Sequence, residues 1–132
     1  MPLFYDNSGP AYYSEATLPL SSQRDWTEEG VKILTLWFYG DSANVAELMY
    51  VAVSNVTGPA AVVYHDNPDA ALINTWTQWN INLEEFSNQG VVLTDVDSLS
   101  IGFGNRNNPQ VGGSGKMFID DIRLYRPPEP AP

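Results

Sequence analysis

Several residue types that carry chemistry are scarce or missing in this sequence of 132 residues. It contains no cysteine, which excludes disulfides, thiol nucleophiles and thiolate zinc sites. The one histidine, His65, leaves Ser-His-Asp catalysis dependent on a single residue and excludes two-histidine metal sites. No apolar run approaches about 18 residues, so the sequence predicts no membrane-spanning helix. Residues 1–4 also lack the basic and apolar segments of a signal peptide.

Positive charge is also scarce. Six Lys and Arg stand against sixteen Asp and Glu, which gives a net charge of −10. A protein that binds a phosphate backbone needs clustered Lys and Arg, so nucleic acid is excluded as a partner. The same sign of charge disfavours binding to an anionic membrane surface.

The hydrophobic residues that are present follow a period of two. Leu34, Leu36 and Phe38 alternate with more polar neighbours, which is typical of strands with one buried face. Turn residues separate the strands. Eight short strands are predicted, at 3–6, 12–18, 33–39, 49–54, 60–65, 78–83, 99–104 and 116–125, with a single helical turn near 83–89. This pattern predicts an all-β fold, an antiparallel β-sandwich of the jelly-roll type with two sheets of about four strands.

Three of the tryptophans are assigned positions in this fold. Trp76 and Trp79 are expected in the core or at its edge, and Trp26 is expected to anchor a turn.

Residues 126–132 contain four prolines, a composition that favours extended polyproline II structure. We therefore predict a sandwich module over 1–126 and the start of an interdomain linker over 127–132, within a larger secreted protein.

Three stretches of the sequence resemble a known family. They are residues 9–19 with Asp25-Trp26-Thr27 and 34–41, residues 76–83, and residues 96–103 leading into 118–125. Together they resemble the galactose-binding-like jelly-roll carbohydrate-binding modules, particularly family eleven and its relatives. The resemblance implies a non-catalytic module that targets a tethered polysaccharide-degrading domain to β-glucan, such as cellulose-like, mixed-linkage or xyloglucan chains. The alternative is a structural or protein-contact sandwich of a surface protein, with no sugar ligand.

The abundance of aromatic residues agrees with sugar binding, since flat rings pack against the apolar faces of carbohydrates. The resemblance places Tyr12 and Tyr13 in the ligand cleft, although one could be a core residue and the other solvated. Tyr50 alternates with core residues and is predicted to stack on sugar from the same sheet. Ser100, Gly102 and Gly104 are predicted to lie on the outward side of their strand, where small residues leave a trough.

Further cleft residues are implied by the resemblance. Asp97, Ser98 and Phe103 match cleft positions, although the alternation of Phe103 with Leu99 and Ile101 favours burial in the core. Arg106 belongs to a glycine-rich loop that either lines the rim of the cleft or is an ordinary solvated loop.

Trp37 and Tyr39 are predicted to face outward from strand 33–39, which the resemblance places in the opposite sheet. They form a second aromatic patch, a contact to another domain, or residues covered by a loop.

A structural calcium ion is also implied by the resemblance, with Asp120 as a ligand. Asp6 on the opening strand and Asp25 in a turn are its predicted partners, because calcium is bound by carboxylate and carbonyl oxygens. Adjacent Asp120 and Asp121 are expected to point to opposite faces of their strand, and the alternative is a solvated aspartate pair.

Signatures of catalysis are missing. Carboxylates occur as adjacent pairs, such as Glu28-Glu29 and Glu84-Glu85, rather than in the Glu-x-Asp-x-Glu run of small jelly-roll glucanases. A Gly-x-Ser-x-Gly sequence and an N-terminal histidine for copper chemistry are likewise absent. The sequence predicts a protein that is not an enzyme.

Overall fold

A computed structural model describes residues 2–6, 14–20, 25–27, 31–104 and 114–125. The strands are β1 (Pro2–Asp6), β2 (Ser14–Pro19), β3 (Ile33–Tyr39), β4 (Met49–Ser54), β5 (Ala61–Tyr64), β6 (Thr77–Asn82), β7 (Ser98–Phe103) and β8 (Ser114–Tyr125). The helix α1 (Glu84–Ser87) and two 3-10 helices, Ala70–Leu72 and Leu93–Asp95, lie in the connections. All eight predicted strands are present, and α1 falls within the predicted helical turn. None of the helices in the described part of the chain has the length and apolar character needed to cross a membrane.

The strands form two antiparallel sheets of four. The first sheet has the order β1-β8-β3-β6 and the second has the order β2-β7-β4-β5. Each sheet therefore pairs strands that are distant in sequence, which is the arrangement of a jelly roll. The predicted fold class is confirmed.

The core lies between the two sheets and is supplied by alternate residues of the strands. Leu34, Leu36 and Phe38 of β3 are buried, as are Met49, Val51 and Val53 of β4. The neighbouring residues of these strands point to the outer faces. The period-two pattern thus fixes which side chains point to the core and which point to an outer face.

The tryptophans divide between core and surface. Trp26 is buried, and its backbone N–H donates to the carbonyl oxygen of Leu93 at 2.8 Å, which agrees with its predicted role as a turn anchor. Trp79 is buried in the core, as expected. The expectation for Trp76 was wrong, because it precedes β6 and its side chain is 50% exposed at the edge of the first sheet.

Strand β8 contains a bulge at the two adjacent aspartates. Three steps on β8, from Asp120 to Arg123, oppose two steps on β3, and Asp121 has a positive φ of 55°. Asp121 forms an ion pair with Arg123, which lies opposite Thr35 on the outer face. Asp120 lies opposite the outward-facing Trp37. Both aspartates are therefore on the outer side, and the prediction that they point to opposite faces was wrong, because the extra residue resets the alternation.

Candidate functional site

The outer face of the second sheet carries small polar residues in rows across the strands. Thr17 on β2 lies opposite Ser100 on β7, which lies opposite Ala52 on β4. In the next row toward the start of β7, Ser98 lies between Pro19 and Ser54. Because these side chains are short, the face is recessed here rather than raised.

The recess is a trough of about 380 Å³. Its lining comes from β2, β4 and β7, from the β4–β5 turn and from the residue before β7: Glu15, Thr17, Ala52, Ser54, Asn55, Val56, Gly58, Ala60, Asp97, Ser98 and Ser100. The trough predicted from the small residues of β7 is therefore present at Ser100, whereas Gly102 and Gly104 are buried and do not line it.

Two pairs of hydroxyl groups bridge neighbouring strands in the trough. The Ser54 and Ser98 oxygens are 2.7 Å apart, and the Thr17 and Ser100 oxygens are 2.9 Å apart. Within each pair one hydroxyl donates to the other, so the second keeps its own proton available as a donor. Each pair can thus donate to and accept from a ligand without losing its internal bond.

Asp97 and Ser98 are the predicted cleft residues that the structure places in the trough. Backbone bonds fix the start of β7 here, because Asp97 N–H donates to the Ser54 carbonyl and the Asp97 carbonyl accepts from Leu20 N–H, both at 2.8 Å. Asp97, the residue before β7, is therefore held by backbone bonds from both sides.

Tyr50 lies on the outer face of the second sheet, as predicted, but its side chain is fully buried. Its hydroxyl donates to Glu15 Oε1 at 2.7 Å, and its ring meets the edge of Tyr64 at a centroid distance of 5.7 Å. A ring with no exposed face cannot stack on a sugar, so the predicted stacking role of Tyr50 was wrong. The alternation of β4 shows that the Tyr50 side chain points to the outer face, but it does not show whether other side chains cover that face.

Phe103 is also fully buried, in the core between the sheets. Its ring stacks on that of Tyr5, with centroids 4.6 Å apart and planes at 20°. The cleft position implied by the resemblance is therefore wrong, and the core position favoured by its alternation with Leu99 and Ile101 is confirmed.

Other predicted site residues fall outside the described residues. Tyr12, Tyr13 and Arg106 belong to this group, as does the tail at 126–132. Their roles in the cleft stay predictions. Conversely, sequence reasoning missed Glu15, Thr17 and Ser54, whose outward positions could have been found by pairing β2 and β4 with β7.

The predicted calcium ligands do not come together. Asp6 lies opposite Ser114 on β8, six residues before Asp120. At about 3.3 Å per residue this places the two backbone positions about 20 Å apart, whereas calcium binds its ligands at about 2.3–2.6 Å. The set of Asp6, Asp25 and Asp120 is therefore wrong as a single site.

Two of these carboxylates, those of Asp25 and Asp120, accept hydrogen bonds from residues close to them in the sequence. Asp25 accepts hydrogen bonds from the hydroxyl and the backbone N–H of Thr27, which hold its pKa below the usual value. Asp120 Oδ1 accepts from the Asp121 backbone N–H at 2.8 Å. Within the described ranges no three His, Asp or Glu side chains are grouped as a metal ion requires.

Comparison with known proteins places the fold. Neither a protein-family model nor a curated protein sequence matches this chain. Among solved structures, PfGH50B superposes with a TM-score of 0.66 at 12% identity, covering 97% of this chain and 21% of that one. This chain thus spans about a fifth of the length of PfGH50B.

Two further structures are family 11 carbohydrate-binding modules of Clostridium thermocellum. The module of the cellulosomal cellulase Lic26A-Cel5E has a TM-score of 0.53 at 12% identity, covering 96% of this chain and 88% of the other. The module in complex with a β-1,3-1,4-mixed-linked tetrasaccharide has a TM-score of 0.51 at 12% identity, covering 93% and 87%. At such identity the likeness concerns the fold, and the resemblance stated from the sequence is confirmed at that level.

Proposed function

We propose that this chain is a non-catalytic carbohydrate-binding module that holds extended β-glucan chains in the trough of the second sheet. The observation that carries the proposal is the presence of two bridged pairs of hydroxyl groups, Ser54 with Ser98 and Thr17 with Ser100, in a recess of about 380 Å³. Hydroxyl groups of a sugar can both donate to and accept from such pairs. A rigid sheet holds the pairs in place before the ligand binds, which lowers the entropic cost of binding.

The charges of the trough favour a neutral ligand. Glu15 and Asp97 are its two ionisable lining residues, and both are acidic in a chain of net charge −10. Phosphate or uronate groups would be repelled, whereas neutral hydroxyls can donate charge-assisted hydrogen bonds to carboxylates. A neutral polysaccharide therefore suits this surface better than nucleic acid or an anionic membrane.

The separation of these two carboxylates supports a binding rather than a catalytic role. Glu15 lies opposite Gly102, five residues along the chain from Asp97, so their backbone positions are about 16 Å apart at about 3.3 Å per residue. The hydrogen bond from the Tyr50 hydroxyl holds the Glu15 carboxylate in the row of Gly102 rather than towards Asp97. Glycosidases hold their two carboxyl groups about 5 to 9.5 Å apart around one bond.

The choice of β-glucan draws on the fold. A family 11 module with the same fold has been solved with a mixed-linked β-1,3-1,4 tetrasaccharide. Tyr12 and Tyr13 are proposed to supply the stacking surfaces, since Tyr50 is buried. In a secreted parent protein, the module would hold a tethered catalytic domain near its polysaccharide, which raises the local substrate concentration.

The proposal is tested by affinity gel electrophoresis of the isolated chain. The gels contain mixed-linkage β-glucan, hydroxyethylcellulose, xyloglucan, glucomannan, xylan or pullulan. We expect retardation by the β-1,4-linked glucans. Ser98→Ala should weaken binding in the trough by about two- to tenfold, which corresponds to one hydrogen bond.

A bulky substitution provides a stronger test with a matched control. Ser98→Tyr fills the trough, whereas Ser42→Tyr adds the same ring at an exposed loop position. Binding in the trough should be lost in the first variant and kept in the second, with both proteins folded by circular dichroism. If no polysaccharide retards the wild type, the structural or protein-contact module becomes the better explanation.

A further inference from the structure

The outer face of the first sheet carries a second set of aromatic and amide side chains. Strand pairing, together with the ring contact between Tyr39 and Trp76 just before β6, arranges them in three rows across the first sheet. The rows are Trp76, Tyr39 and Phe118, then Gln78, Trp37 and Asp120, then Asn80, Thr35 and Arg123. This face lies on the opposite side of the sandwich from the trough.

The first row forms an exposed aromatic surface. Trp76 is 50% exposed and Phe118 is 36% exposed, with the half-buried Tyr39 between them. The rings of Tyr39 and Trp76 meet edge to face at a centroid distance of 5.6 Å, and the Lys116 ammonium lies 5.0 Å from the Phe118 ring. The Tyr39 contact orients the Trp76 ring, and the Lys116 contact orients the Phe118 ring, before any ligand arrives.

Two exposed amides are held beside this row by a buried threonine. Gln78 Nε2 donates to Thr35 Oγ1 at 3.2 Å, and the Thr35 hydroxyl donates to Asn80 Oδ1 at 2.7 Å. Thr35 is 1% exposed, so it lies beneath the surface that the two amides present. The arrangement leaves the Gln78 carbonyl oxygen as an acceptor and the Asn80 amide nitrogen as a donor, both on exposed residues.

The charge of this face differs from that of the whole chain. Lys116 and Arg123 balance Asp120 and Asp121, so the outward residues of β3, β6 and β8 have no net charge in a chain of −10. A neutral polymer is therefore not repelled here. A second copy of this acidic chain would be repelled over longer range.

We propose that this face is a second carbohydrate-binding site, which takes a neutral polysaccharide. Sugar rings would stack on the row of Trp76, Tyr39 and Phe118, while Gln78 and Asn80 would bind their hydroxyl groups. With sites on opposite faces, one module can hold two polysaccharide chains at once. The site does not depend on the trough, and either one can fail while the other binds.

The experiment separates the two sites by affinity electrophoresis through the same neutral polysaccharides. The variants are Ser98→Tyr, Trp76→Ala and the double variant, and Val45→Ala serves as the control because Val45 is 55% exposed in a loop. We expect Ser98→Tyr to retain retardation through the first sheet, and we expect Trp76→Ala to abolish that remainder. In the wild-type background, Trp76→Ala or Gln78→Ala should weaken overall retardation by about three- to tenfold, while Val45→Ala has no effect.

Two other outcomes would overturn the second site. If Ser98→Tyr alone removes all retardation while remaining folded, only the trough binds. If Trp76→Ala does not change the retardation of Ser98→Tyr, the aromatic row is not involved.

Light scattering adds a check on the kind of partner. If the wild type is a dimer that Trp76→Ala dissociates, with no change in retardation, the face is a protein contact instead. Persistence of all binding in Ser98→Tyr, with loss in Trp76→Ala, would refute the trough and support the second site.

Discussion

The ring of Tyr5 stacks on the ring of Phe103 with centroids 4.6 Å apart, and this contact joins the two sheets. Tyr5 belongs to β1 in the first sheet and Phe103 to the end of β7 in the second. The Tyr5 hydroxyl also donates to the Val45 carbonyl at 2.6 Å, which ties the β3–β4 loop to the same point. The pair thus closes one end of the sandwich.

Replacing Phe103 with alanine should destabilise the protein without removing a ligand contact. Loss of a fully buried aromatic ring costs about 3–5 kcal/mol of unfolding free energy, through lost burial and a residual cavity. Denaturant unfolding measures this change, and Val92→Ala at a 55% exposed position should cost little. If Phe103 were a cleft residue, the variant would keep its stability and lose polysaccharide binding.

Ionisation of Tyr5 should couple to folding at high pH. Burial, aided by the negative charge of Glu47, raises its pKa from 10.0 to about 12. The unfolded chain therefore loses this proton first, so the stabilising contribution is complete below pH 10 and is lost as the pH rises towards 12. The unfolding free energy of Tyr5→Phe should fall less steeply over this range than that of the wild type. Equal slopes would show that Tyr5 ionises as readily in the folded state.

Most of the fold could be predicted from the sequence because each strand has one buried face. Alternation in β3, β4 and β7 identifies the strands and also the core residues, Phe103 included. The same alternation could not show that Tyr50 is covered, because a period of two assigns a side chain to a face and does not say what lies over that face.

The calcium ligands show a second limit of the sequence. Whether Asp6 and Asp120 meet depends on the register of β1 against β8, and a shift of two residues leaves the hydrophobic pattern unchanged. The bulge at Asp121 was hidden for a similar reason, since the residues before it and the residues after it each alternate, and only the phase changes between them.

Acid should destabilise the protein through His65. Its ring meets the rings of Phe38 and Trp79 edge to face, at centroid distances of 5.5 and 4.8 Å. Burial lowers the pKa of His65 below 6.5, despite the nearby negative charge of Asp66. The unfolded chain binds this proton first, so stability is full above pH 6.5 and is lost as the pH falls towards the lower pKa of the folded state. Melting temperatures from about pH 7 to about pH 5 should decline less in His65→Gln than in the wild type. A parallel decline in both proteins would contradict the role of His65.

Asp120 should have no part in any response to calcium. Its carboxylate accepts from the Asp121 N–H, and its strand position is about 20 Å from that of Asp6. We therefore expect Asp120→Asn to respond to a chelator as the wild type does, with the same change in melting temperature. A ligand of a structural ion would behave differently, because its removal abolishes the stabilisation that the ion provides. A chelator effect present in the wild type and missing in Asp120→Asn would restore Asp120 as a ligand.

Asn55 should position one wall of the trough. Its side-chain nitrogen donates to the carbonyls of Val92 and Asp95, each at 2.8 Å, and its oxygen accepts from Val92 N–H at 2.9 Å. These three bonds tie the β4–β5 turn to the segment that leads into β7. Asn55→Ala removes all three, and water can reach this site, so the expected cost is about 1–2 kcal/mol.

Measuring polysaccharide binding shows whether Asn55 positions the wall of the trough or only contributes to stability. Because Asp97 follows directly on the tethered segment, Asn55→Ala should weaken retardation by β-glucan under conditions where the variant is fully folded. Asn74→Ala is the matched control, at an exposed asparagine that does not line the trough. Reduced stability with unchanged retardation would show that the trough keeps its shape without Asn55, and that its walls are set by the strands alone.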